Sequence, residues 1–557
     1  MLPPQAANPD QITMNPATRD RVIVAAIALL FIATGIGLKD PWPSDEPRFA
    51  LVAKEMVESG DWFFPTRGGE LYPDKPPMFM WAQAVVLKLT GSVRVAHLLP
   101  SLLCSLLTLG LVYSMGRRLW DRRVALLACL LLLGSPQFVL ESRAGQIDAM
   151  VTAWIALGVY GFLRHLLLGP DTRWLLVGFA ASGFGIITKG VGFLPVLMFI
   201  PVLLVMKHLA APVSRHAWWR GLAGVATLLG ACAVWFVPMV IIVAGSNDPA
   251  LEAYRDNILF KQTGQRYADP WHHFEPPWYF LTNVIPALWM PIFFMLPWLV
   301  PQWTRDFKQR DPRIVLLVGW VVLVITFFSI SSGKRGVYIL PALPWICLAA
   351  APTLQGLLER RSFHLTARTV ALLLTTALAA AFVYLQFFDP ERAEEMQTLY
   401  ELDPRSTALV ATLATAAGLA AFWRNGPRAY MGVMAALWLT HSFWVYPRLD
   451  SFKSGRSLML RVEQALPAEA PLALVNWKEQ TILQARRDTV NFGFLVPREE
   501  QAIQGLAWLK QNRDGYILLQ KPDLEDCFLK NKSIDLGIAH RRQWFLVNHE
   551  ADAGRCG

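Results

Sequence analysis

The chain has 557 residues, of which 54% are hydrophobic and only 17% are charged, and its mean hydropathy is +0.34. A soluble protein of this length could not bury so much apolar surface in ordinary domains, so the composition predicts a polytopic membrane protein. The net charge of +10 does not indicate nucleic acid as a partner, because membrane proteins concentrate Lys and Arg in cytoplasmic loops.

Apolar runs recur along the chain at lengths near the roughly 20 residues that about 30 Å of hydrocarbon requires. Thirteen such runs lie near 21–38, 93–115, 123–141, 149–168, 173–188, 190–207, 220–244, 278–300, 314–331, 337–357, 368–388, 406–423 and 429–446. The run 77–90 is shorter and contains Gln83 and Lys88. We therefore expect it to form a helix along the membrane interface rather than a fourteenth span.

The basic loops favour the topology with thirteen spans and a cytoplasmic N-terminus. The positive-inside rule then places five basic loops in the cytoplasm: 116–123, 207–220, 302–313, 359–368 and 423–428. A fourteenth span would move these loops outside. The predicted topology brings six polar clusters together on the outer face: 44–50, 72–77, 143–148, 188–190, 245–277 and 332–338.

The outer segment 39–92 is expected to carry juxtamembrane helices. Apolar residues recur there at helical spacing, at Phe49, Val52, Ala53, Met56 and Val57. This pattern predicts an amphipathic helix whose apolar face sinks into the lipid. Further on, Asp74 and Lys75 precede two prolines, which would hold Lys75 at a fixed depth near the headgroups.

The residues after position 447 have a different pattern. Segments 471–477 and 515–520 are typical of strands, and 498–512 has helical periodicity. We therefore predict a small α/β domain at 448–557, outside the cytoplasm, following a membrane domain at 1–447.

Two of the six cysteines, Cys527 and Cys556, fall within the predicted α/β domain. An oxidising compartment would permit a disulfide between them, but the spacing leaves their distance open. The other four lie in apolar runs and are expected to pack as small hydrophobic residues.

Five cations on the predicted outer face run against the depletion of positive charge on that side: Arg48, Lys75, Lys189, Lys334 and Arg335. The arginine fork suits phosphate oxygens, and lysine supplies a compact charge. Two carboxylates, Asp45 and Asp148, would face each other across the same cavity, although Asp148 could instead only favour its helix dipole. Any single cluster could also be a solvated loop end. Because no nucleotide-binding glycine loop is present, the set favours a polyprenyl phosphate-linked donor.

The motifs DEPRFA, DKPP, RAGQID, TKG and SGKRGVYILPALP occur in this order across the predicted bundle. In this they resemble the bacterial undecaprenyl phosphate-aminoarabinose:lipid A transferase family, GT-C-type glycosyltransferases related to the protein O-mannosyltransferases. The similarity extends over nearly the whole chain. The family motifs are usually closer to D-E-T-R-Y-A and E-K-P-P, where this chain has Pro47, Phe49 and Asp74. These differences keep the pattern of acids and cations.

The resemblance implies a GT-C fold of about thirteen transmembrane helices with periplasmic juxtamembrane helices and a periplasmic α/β domain. It also implies transfer of 4-amino-4-deoxy-L-arabinose from undecaprenyl phosphate to lipid A phosphates at the periplasmic face of the inner membrane. That modification confers resistance to polymyxin and cationic antimicrobial peptides. The expected partners are the lipid-linked sugar donor, lipid A and inner-membrane lipids, with the protein acting as a monomer.

Carried onto this sequence, the resemblance makes Asp45 and Asp148 the catalytic candidates. It assigns donor-phosphate binding to Arg48, Lys75, Lys334, Arg335 and Tyr338. Other substrate contacts would come from Glu46, Tyr72 and Lys189. If the acceptor is an anionic phosphate, Asp45 would orient a substrate or stabilise positive charge at the anomeric carbon, whereas a hydroxyl acceptor would need a general base.

A metal site and two other functions remain open at the level of sequence. Asp74, His272 and His273 could ligate a divalent ion such as zinc, although neighbouring histidines at an interface more often form hydrogen bonds. The protein could use another polyprenyl phosphate sugar or modify protein or glycan. A transporter of lipid-linked sugars would instead predict internal repeats and broken midplane helices, and no convincing repeat is visible.

Overall fold

The computed structural model describes residues 15–209, 217–260 and 274–556. Its α-helices are Pro16–Ala28, Glu46–Ser59, Met78–Thr90, Val93–Ala96, Leu99–Leu119, Arg122–Leu133, Pro136–Ser142, Ile147–Leu167, Thr172–Ile186, Phe199–Val205, Ala217–Ser246, Pro249–Asp256, Ile285–Leu288, Met290–Lys308, Pro312–Ile330, Leu343–Leu357, Arg361–Val383, Pro390–Tyr400, Pro404–Ala421, Gly426–Thr440, Tyr446–Ser454, Arg456–Ala465, Glu479–Gln484, Arg498–Gln511 and Lys521–Cys527. Turns of 3-10 or π-helix extend or link several of these helices: Leu29–Ala33, Gly190–Met198, Met206–His208, Phe280–Val284, Gly336–Ala342, Tyr384–Phe388, His441–Val445, Lys530–Lys532 and His549–Ala551.

Seven helices within the described ranges are long and apolar enough to cross a membrane: Val93–Leu119, Ile147–Leu167, Gly190–His208, Trp218–Ser246, Pro312–Ile330, Gly336–Leu357 and Arg361–Phe388. Two bent helix pairs could raise this number to nine. Helices also occupy the other four predicted runs, but the total of thirteen stays a prediction. The run 77–90 forms the 13-residue helix Met78–Thr90, which is shorter than the roughly 20 residues of a membrane span.

The two bent pairs break next to proline. Arg122–Leu133 and Pro136–Ser142 meet at 72°, and Phe280–Leu288 and Met290–Lys308 meet at 110°. Pro136 opens the second helix of the first pair, where its missing N–H costs no hydrogen bond. The second helix of this pair ends at Ser142, immediately before the RAGQID turn.

Small residues allow Ile147–Leu167 and Thr172–Ile186 to approach closely. A Cβ added at Gly161 would lie 2.5 Å from the Trp174 carbonyl oxygen, and one at Gly178 would lie 2.5 Å from the Phe162 ring. Such close packing is characteristic of membrane helix pairs. This packing places the start of Ile147–Leu167 beside the end of Thr172–Ile186.

The amphipathic helix Glu46–Ser59 does not place its apolar face in lipid. Phe49, Val52 and Met56 are buried against Phe79 and Ile147, in one hydrophobic cluster of the protein. The expectation that this face enters the membrane was therefore wrong. Periodicity predicts that a helix has a face to bury, but it does not distinguish lipid from protein as the cover.

A five-stranded mixed sheet forms near the C-terminus, with strand order β4–β3–β5–β7–β6. Its strands are β3 (Leu472–Leu474), β4 (Thr489–Asn491), β5 (Tyr516–Gln520), β6 (Ile534–Ala539) and β7 (Arg542–Val547), and the hairpin β1 (Thr66–Arg67) and β2 (Glu70–Leu71) precedes them in the chain. β3 is parallel to β4 and β5, whereas β7 is antiparallel to β5 and β6. The predicted strand at 515–520 and helix at 498–512 are both present. The predicted domain boundary after residue 447 falls inside Tyr446–Ser454 and stays a prediction.

Helices cover both faces of the sheet. Arg456–Ala465 packs on one face through Leu458, Met459 and Val462, and Arg498–Gln511 packs on the other. Cys527 and Cys556 form a disulfide with a Cα–Cα distance of 5.2 Å, so the possibility that the sequence left open is realised.

The sheet contacts the juxtamembrane segment at the β1–β2 turn. Gly68 has φ +65°, and the ring of Trp477 packs so closely on it that an added Cβ would lie 2.5 Å away. The Asn491 side chain donates to the Gly68 carbonyl at 3.1 Å, and the Phe494 N–H donates to the Glu70 carboxylate at 3.2 Å. The sheet is thereby placed beside the charged residues of segment 39–92.

Candidate active site

Asp45 lies between two arginines from distant parts of the chain. It precedes the helix Glu46–Ser59, and its side chain makes no capping hydrogen bond. The carboxylate instead accepts from Arg48 Nη2 at 2.5 Å and from Arg335 Nη2 at 3.1 Å. Arg48 is one helical turn further on, so the local fold alone brings it near Asp45. The predicted clusters 44–50 and 332–338 therefore meet.

A second ion pair joins Asp148 and Lys189, whose Nζ–Oδ1 distance is 2.5 Å. Asp148 lies in the first turn of Ile147–Leu167 and Lys189 follows the end of Thr172–Ile186, so the close packing of these two helices explains the contact. Lys189 Nζ also lies 5.0 Å from the centre of the Tyr338 ring, within cation–π range. The structure thus brings both predicted catalytic carboxylates into contact with predicted cations.

Arg335 interacts electrostatically with both carboxylates. Burial lowers the pKa of its guanidinium, but Asp45 and Asp148 raise it, and the net pKa lies above the ordinary value. Since arginine is charged at any physiological pH, the consequence is a fixed cation near both acids. Its helical neighbour Tyr338 sits one turn along the 3-10 segment Gly336–Ala342.

Glu46 is fully occupied by protein contacts. Lys39 Nζ lies 2.7 Å from both carboxylate oxygens, the Trp42 N–H donates at 2.8 Å, and the Gly145 N–H donates at 2.9 Å. Burial raises the pKa of this carboxyl, but Lys39 and His97 lower it to a net value below the ordinary one. Glu46 therefore ties the segment before the first helix to the RAGQID turn, and we assign it a positioning role rather than substrate contact.

The YPDKPP motif approaches the same region through Tyr72. This side chain is fully buried; burial raises the pKa of its hydroxyl, while the nearby Arg48 lowers it by a smaller amount. Lys75 Nζ donates to the Asp74 carbonyl at 3.0 Å. Tyr72 and Lys75 as substrate ligands stay predictions.

Lys334 is buried, with 3% of its surface exposed. Its Nζ donates to the Glu275 carbonyl at 2.7 Å, and the Glu275 N–H donates to the Ser332 carbonyl at 3.2 Å. Lys334 thus holds the segment at Glu275 against the residues before Arg335. Phosphate binding by Lys334 stays a prediction, and its described contact is structural.

The predicted metal ligands cannot be compared as a set, because His272 and His273 lie outside the described residues. Within the ranges that the structure describes, no group of three or more His, Cys, Asp or Glu side chains could hold a metal ion. A metal at Asp74, His272 and His273 stays a prediction.

Sequence reasoning missed Glu141, which interacts electrostatically with Asp148, Lys189 and Arg335. Its Oε2 atom is buried and has no hydrogen-bond partner among the described residues. Glu141 was assigned to the end of an apolar run and given no role. An ionisable residue within a membrane helix is costly and usually functional, and that signal could have identified it.

Glu479, from the C-terminal sheet region, also reaches the site. It lies 2.7 Å from Arg67 Nη2 and 3.9 Å from Arg48 Nε, and 7% of its surface is exposed. Arg67 stacks over the Phe494 ring at 4.5 Å. No spacing in the sequence reveals contacts between residues so far apart in the chain. The C-terminal region therefore contacts an arginine of the candidate site.

This arrangement can bind an anion and stabilise a cation at adjacent positions. Arg48 and Arg335 present guanidinium groups whose geometry matches phosphate oxygens. Asp45 between them supplies negative charge close to that point. Such preorganised charges are effective where charge separates during a reaction.

The chain matches known proteins along most of its length. Residues 74–241 match the family model described as dolichyl-phosphate-mannose-protein mannosyltransferase. An undecaprenyl phosphate-α-4-amino-4-deoxy-L-arabinose arabinosyl transferase of Pseudomonas aeruginosa is 29% identical over 526 residues, covering 87% of this chain and 89% of that protein. A Pseudomonas fluorescens transferase of the same name, numbered 1, is 30% identical over 390 residues, covering 67% of this chain and 68% of its own.

The fold has a close counterpart among solved structures. The crystal structure of ArnT from Cupriavidus metallidurans bound to undecaprenyl phosphate superposes with a TM-score of 0.74 at 22% identity, covering 95% of this chain and 98% of that one. The predicted GT-C-type membrane fold is thereby confirmed. From these sequence and fold matches, the chain belongs to the undecaprenyl phosphate-aminoarabinose arabinosyl transferase family of membrane glycosyltransferases.

Proposed function

We propose that this protein transfers 4-amino-4-deoxy-L-arabinose from undecaprenyl phosphate to phosphate groups of lipid A, at the periplasmic face of the bacterial inner membrane. The observation that carries the proposal is the Asp45 carboxylate held by Arg48 and Arg335 in a chain whose relatives are named for this donor. The product bears an added cationic sugar. The expected phenotype is resistance to polymyxin and cationic antimicrobial peptides.

In the proposed reaction, a lipid A phosphate oxygen forms a bond to the anomeric carbon while the bond from that carbon to the donor phosphate oxygen breaks. The electron pair of the broken bond leaves with undecaprenyl phosphate, whose charge Arg48 and Arg335 stabilise. The attacking phosphate is already ionised, so no base has to remove a proton. Asp45 stabilises the positive charge that develops at the anomeric carbon.

The second ion pair would complete this site. Lys189 lies beside Asp148 and Tyr338, where its charge can be shared between a protein carboxylate and a substrate phosphate. Asp148 keeps this lysine in place and adds a second negative charge beside the reacting sugar. Lys75 would approach the donor phosphate from the YPDKPP motif.

The disulfide supports the proposed periplasmic placement. Disulfides persist in oxidising compartments such as the periplasm and are rare in the cytosol. Cys527 and Cys556 belong to the same C-terminal region as Glu479, which lies 3.9 Å from Arg48. This supports a site on the side of the membrane where lipid-linked donors, rather than nucleotides, supply sugars.

Transfer to a hydroxyl of a protein or glycan is the second candidate function. The match of residues 74–241 to a protein mannosyltransferase model favours it. A hydroxyl would require a general base, and Asp45 and Asp148 are the carboxylates in place for that role. The identity of the acceptor separates the two functions.

The test is expression in a Gram-negative strain that makes the donor but lacks its own aminoarabinose transferase, followed by mass spectrometry of lipid A. The unaltered protein should add aminoarabinose, and Asp45→Asn should add none at equal expression. Glu58→Gln serves as the matched control, because Glu58 is exposed on the same helix and pairs only with Lys54 at 3.6 Å among the described ion pairs. Unmodified lipid A despite good expression and available donor would refute lipid A as acceptor, and activity in Asp45→Asn would refute the role of Asp45.

A further inference from the structure

A groove lies between the first helix, Pro16–Ala28, and the membrane helix Leu99–Leu119, away from the candidate active site. It has a cavity volume of about 470 Å³, within the roughly 300–1,000 Å³ of known small-molecule sites. Arg21, Arg117 and Arg118 line one end, and Val24, Leu106 and Leu109 are among the apolar residues along the rest. The groove is therefore basic at one end and apolar along the rest of its length.

Helical periodicity explains this division. Leu106, Leu109, Tyr113 and Arg117 follow one another at intervals of three or four and so share one helix face, while Arg21, Val24 and Ala28 do the same on the first helix. At 1.5 Å per residue, Leu106 and Arg117 are about 16 Å apart along the axis. This length matches the roughly 15 Å of hydrocarbon in one leaflet, half of the 30 Å core.

The three arginines have no described carboxylate partner. Asp20, the acid next to Arg21, pairs with Arg122 at 2.9 Å, and Arg118 Nε lies 3.4 Å from the Tyr160 hydroxyl oxygen. No ion pair among the described residues involves Arg21, Arg117 or Arg118. Their charges are therefore available to an anion.

Tyr113 lies where the basic and apolar parts meet. Its side chain lines the groove, and its hydroxyl is buried without a hydrogen-bond partner among the described residues. An unsatisfied buried hydroxyl is unfavourable. A ligand oxygen between the phosphate and the hydrocarbon chain would supply the missing partner.

The groove is at the membrane surface opposite the reaction site. The helix Leu99–Leu119 begins beside His97, whose Nε2 lies 3.9 Å from Glu46, and ends beyond Arg117 and Arg118. Its 21 residues span about 30 Å, the thickness of the hydrocarbon core. Arginines at this depth meet lipid headgroups of the other leaflet.

We infer that this groove binds an anionic phospholipid of the leaflet opposite the active site, with its phosphate at Arg21, Arg117 and Arg118 and one acyl chain along the apolar wall. Basic pockets between membrane helices recognise anionic headgroups in this way. A soluble anion would leave the apolar length without a complementary ligand. The inference does not depend on the reaction that the protein catalyses.

The test measures retention of phosphatidylglycerol by the purified full-length protein, using native mass spectrometry from detergent with phosphatidylcholine of the same acyl chains as competitor. The first variant combines Arg21→Gln, Arg117→Gln and Arg118→Gln. The charge-matched control combines Lys308→Gln, Arg361→Gln and Arg424→Gln, three exposed cations elsewhere. We expect at least tenfold weaker phosphatidylglycerol binding in the first variant and no loss in the control.

A second variant fills the groove without changing its charge. Gly110 lines the cavity, and an added Cβ there meets no atom within 4 Å, so Gly110→Leu should fold and exclude the acyl chain. Its melting temperature should equal that of the unaltered protein, while its phosphatidylglycerol binding falls by a similar factor. Equal retention of phosphatidylcholine, an equal loss in the control, unchanged binding in Gly110→Leu or full competition by inorganic phosphate would each overturn the inference.

Discussion

Arg335 contacts the carboxylate of Asp45 at 3.1 Å across 290 residues of chain. The contact connects the segment after the first membrane run to the turn between two later membrane helices. It therefore forms only when the bundle is assembled. Arg48 reaches the other carboxylate oxygen from the same helix, so the acid is held by one local and one distant cation.

Arg335→Lys should lower transferase activity by about 100-fold, which is the size of effect seen when one preorganised donor at a reacting centre is lost. Lysine keeps the charge but cannot present the planar fork. The measurement is the rate of aminoarabinose addition to lipid A in membranes with matched protein levels. Arg513→Lys, at an exposed arginine far along the chain, should retain full activity, and equal activity in both variants would contradict the role of Arg335.

Asp148 and Lys189 should be energetically coupled. Asp148→Asn leaves Lys189 without its ion-pair partner, and Lys189→Gln leaves Asp148 without its partner. Each single variant should therefore be less stable than the unaltered protein. The double variant should be less destabilised than the sum of the two, with a coupling of about 1–3 kcal/mol. Unfolding in detergent measures this cycle, and strictly additive effects would show that the 2.5 Å contact contributes nothing to stability.

Glu46→Gln should destabilise the protein at neutral pH by about 3–5 kcal/mol, because Lys39 would remain buried without its countercharge. The folded pKa of Glu46 lies below its ordinary value of 4.5. The stabilisation is therefore present above that value and is lost as the pH falls through the folded pKa.

The melting temperatures of the unaltered protein and Glu46→Gln should consequently converge as the pH is lowered below about 4.5. Glu58→Gln, on the exposed side of the same helix, should follow the unaltered protein at every pH. If the difference in melting temperature between the unaltered protein and Glu46→Gln stays constant with pH, ionisation of Glu46 is excluded as its source.

The disulfide provides a test of membrane orientation. Intact cells treated with a thiol-reactive polymer should label Cys527 and Cys556 only after external reduction. The double variant Cys527→Ser and Cys556→Ser should show no such reduction-dependent labelling and should lose about 2–4 kcal/mol of stability, the usual contribution of a disulfide. No labelling after external reduction, but labelling once the inner membrane is permeabilised, would place these cysteines in the cytosol.

Glu141→Gln should lower turnover and raise the melting temperature. The substitution removes a buried carboxyl group whose Oε2 has no described hydrogen-bond partner, and functional residues are often held at the expense of stability. Asp45→Asn provides the comparison for lost activity. Full activity with unchanged stability would remove Glu141 from the site.

Sequence patterns predicted the convergence of the charged motifs better than the roles of individual residues. Charge bias placed Asp45, Asp148, Lys189 and Arg335 on one face, and the structure brings them together. The same pattern could not show that Glu46 and Lys334 are occupied by internal contacts, because several of those contacts are to backbone groups, such as the Gly145 N–H and the Glu275 carbonyl. Nearly every residue type carries the same backbone N–H and carbonyl groups, so the sequence does not show which of them bind a side chain.

The C-terminal region shows the same limit. Its strand 515–520 and helix 498–512 followed from periodicity, and both exist. The contact of Glu479 with Arg67 and Arg48 did not follow, because it depends on how two separately formed parts dock. Helix amphipathicity likewise predicted that Phe49 is covered but not that protein, rather than lipid, covers it.

The helix Glu46–Ser59 belongs to both halves of the molecule. Phe49 and Val52 pack toward the membrane bundle, whereas Leu51 is part of the hydrophobic core beneath the C-terminal sheet. Asp45 stands at the end of this shared helix. A displacement of the sheet relative to the bundle would therefore turn the helix and change the distance from Asp45 to Arg335, so a mechanical load on the C-terminal region would alter the Asp45 ion pair.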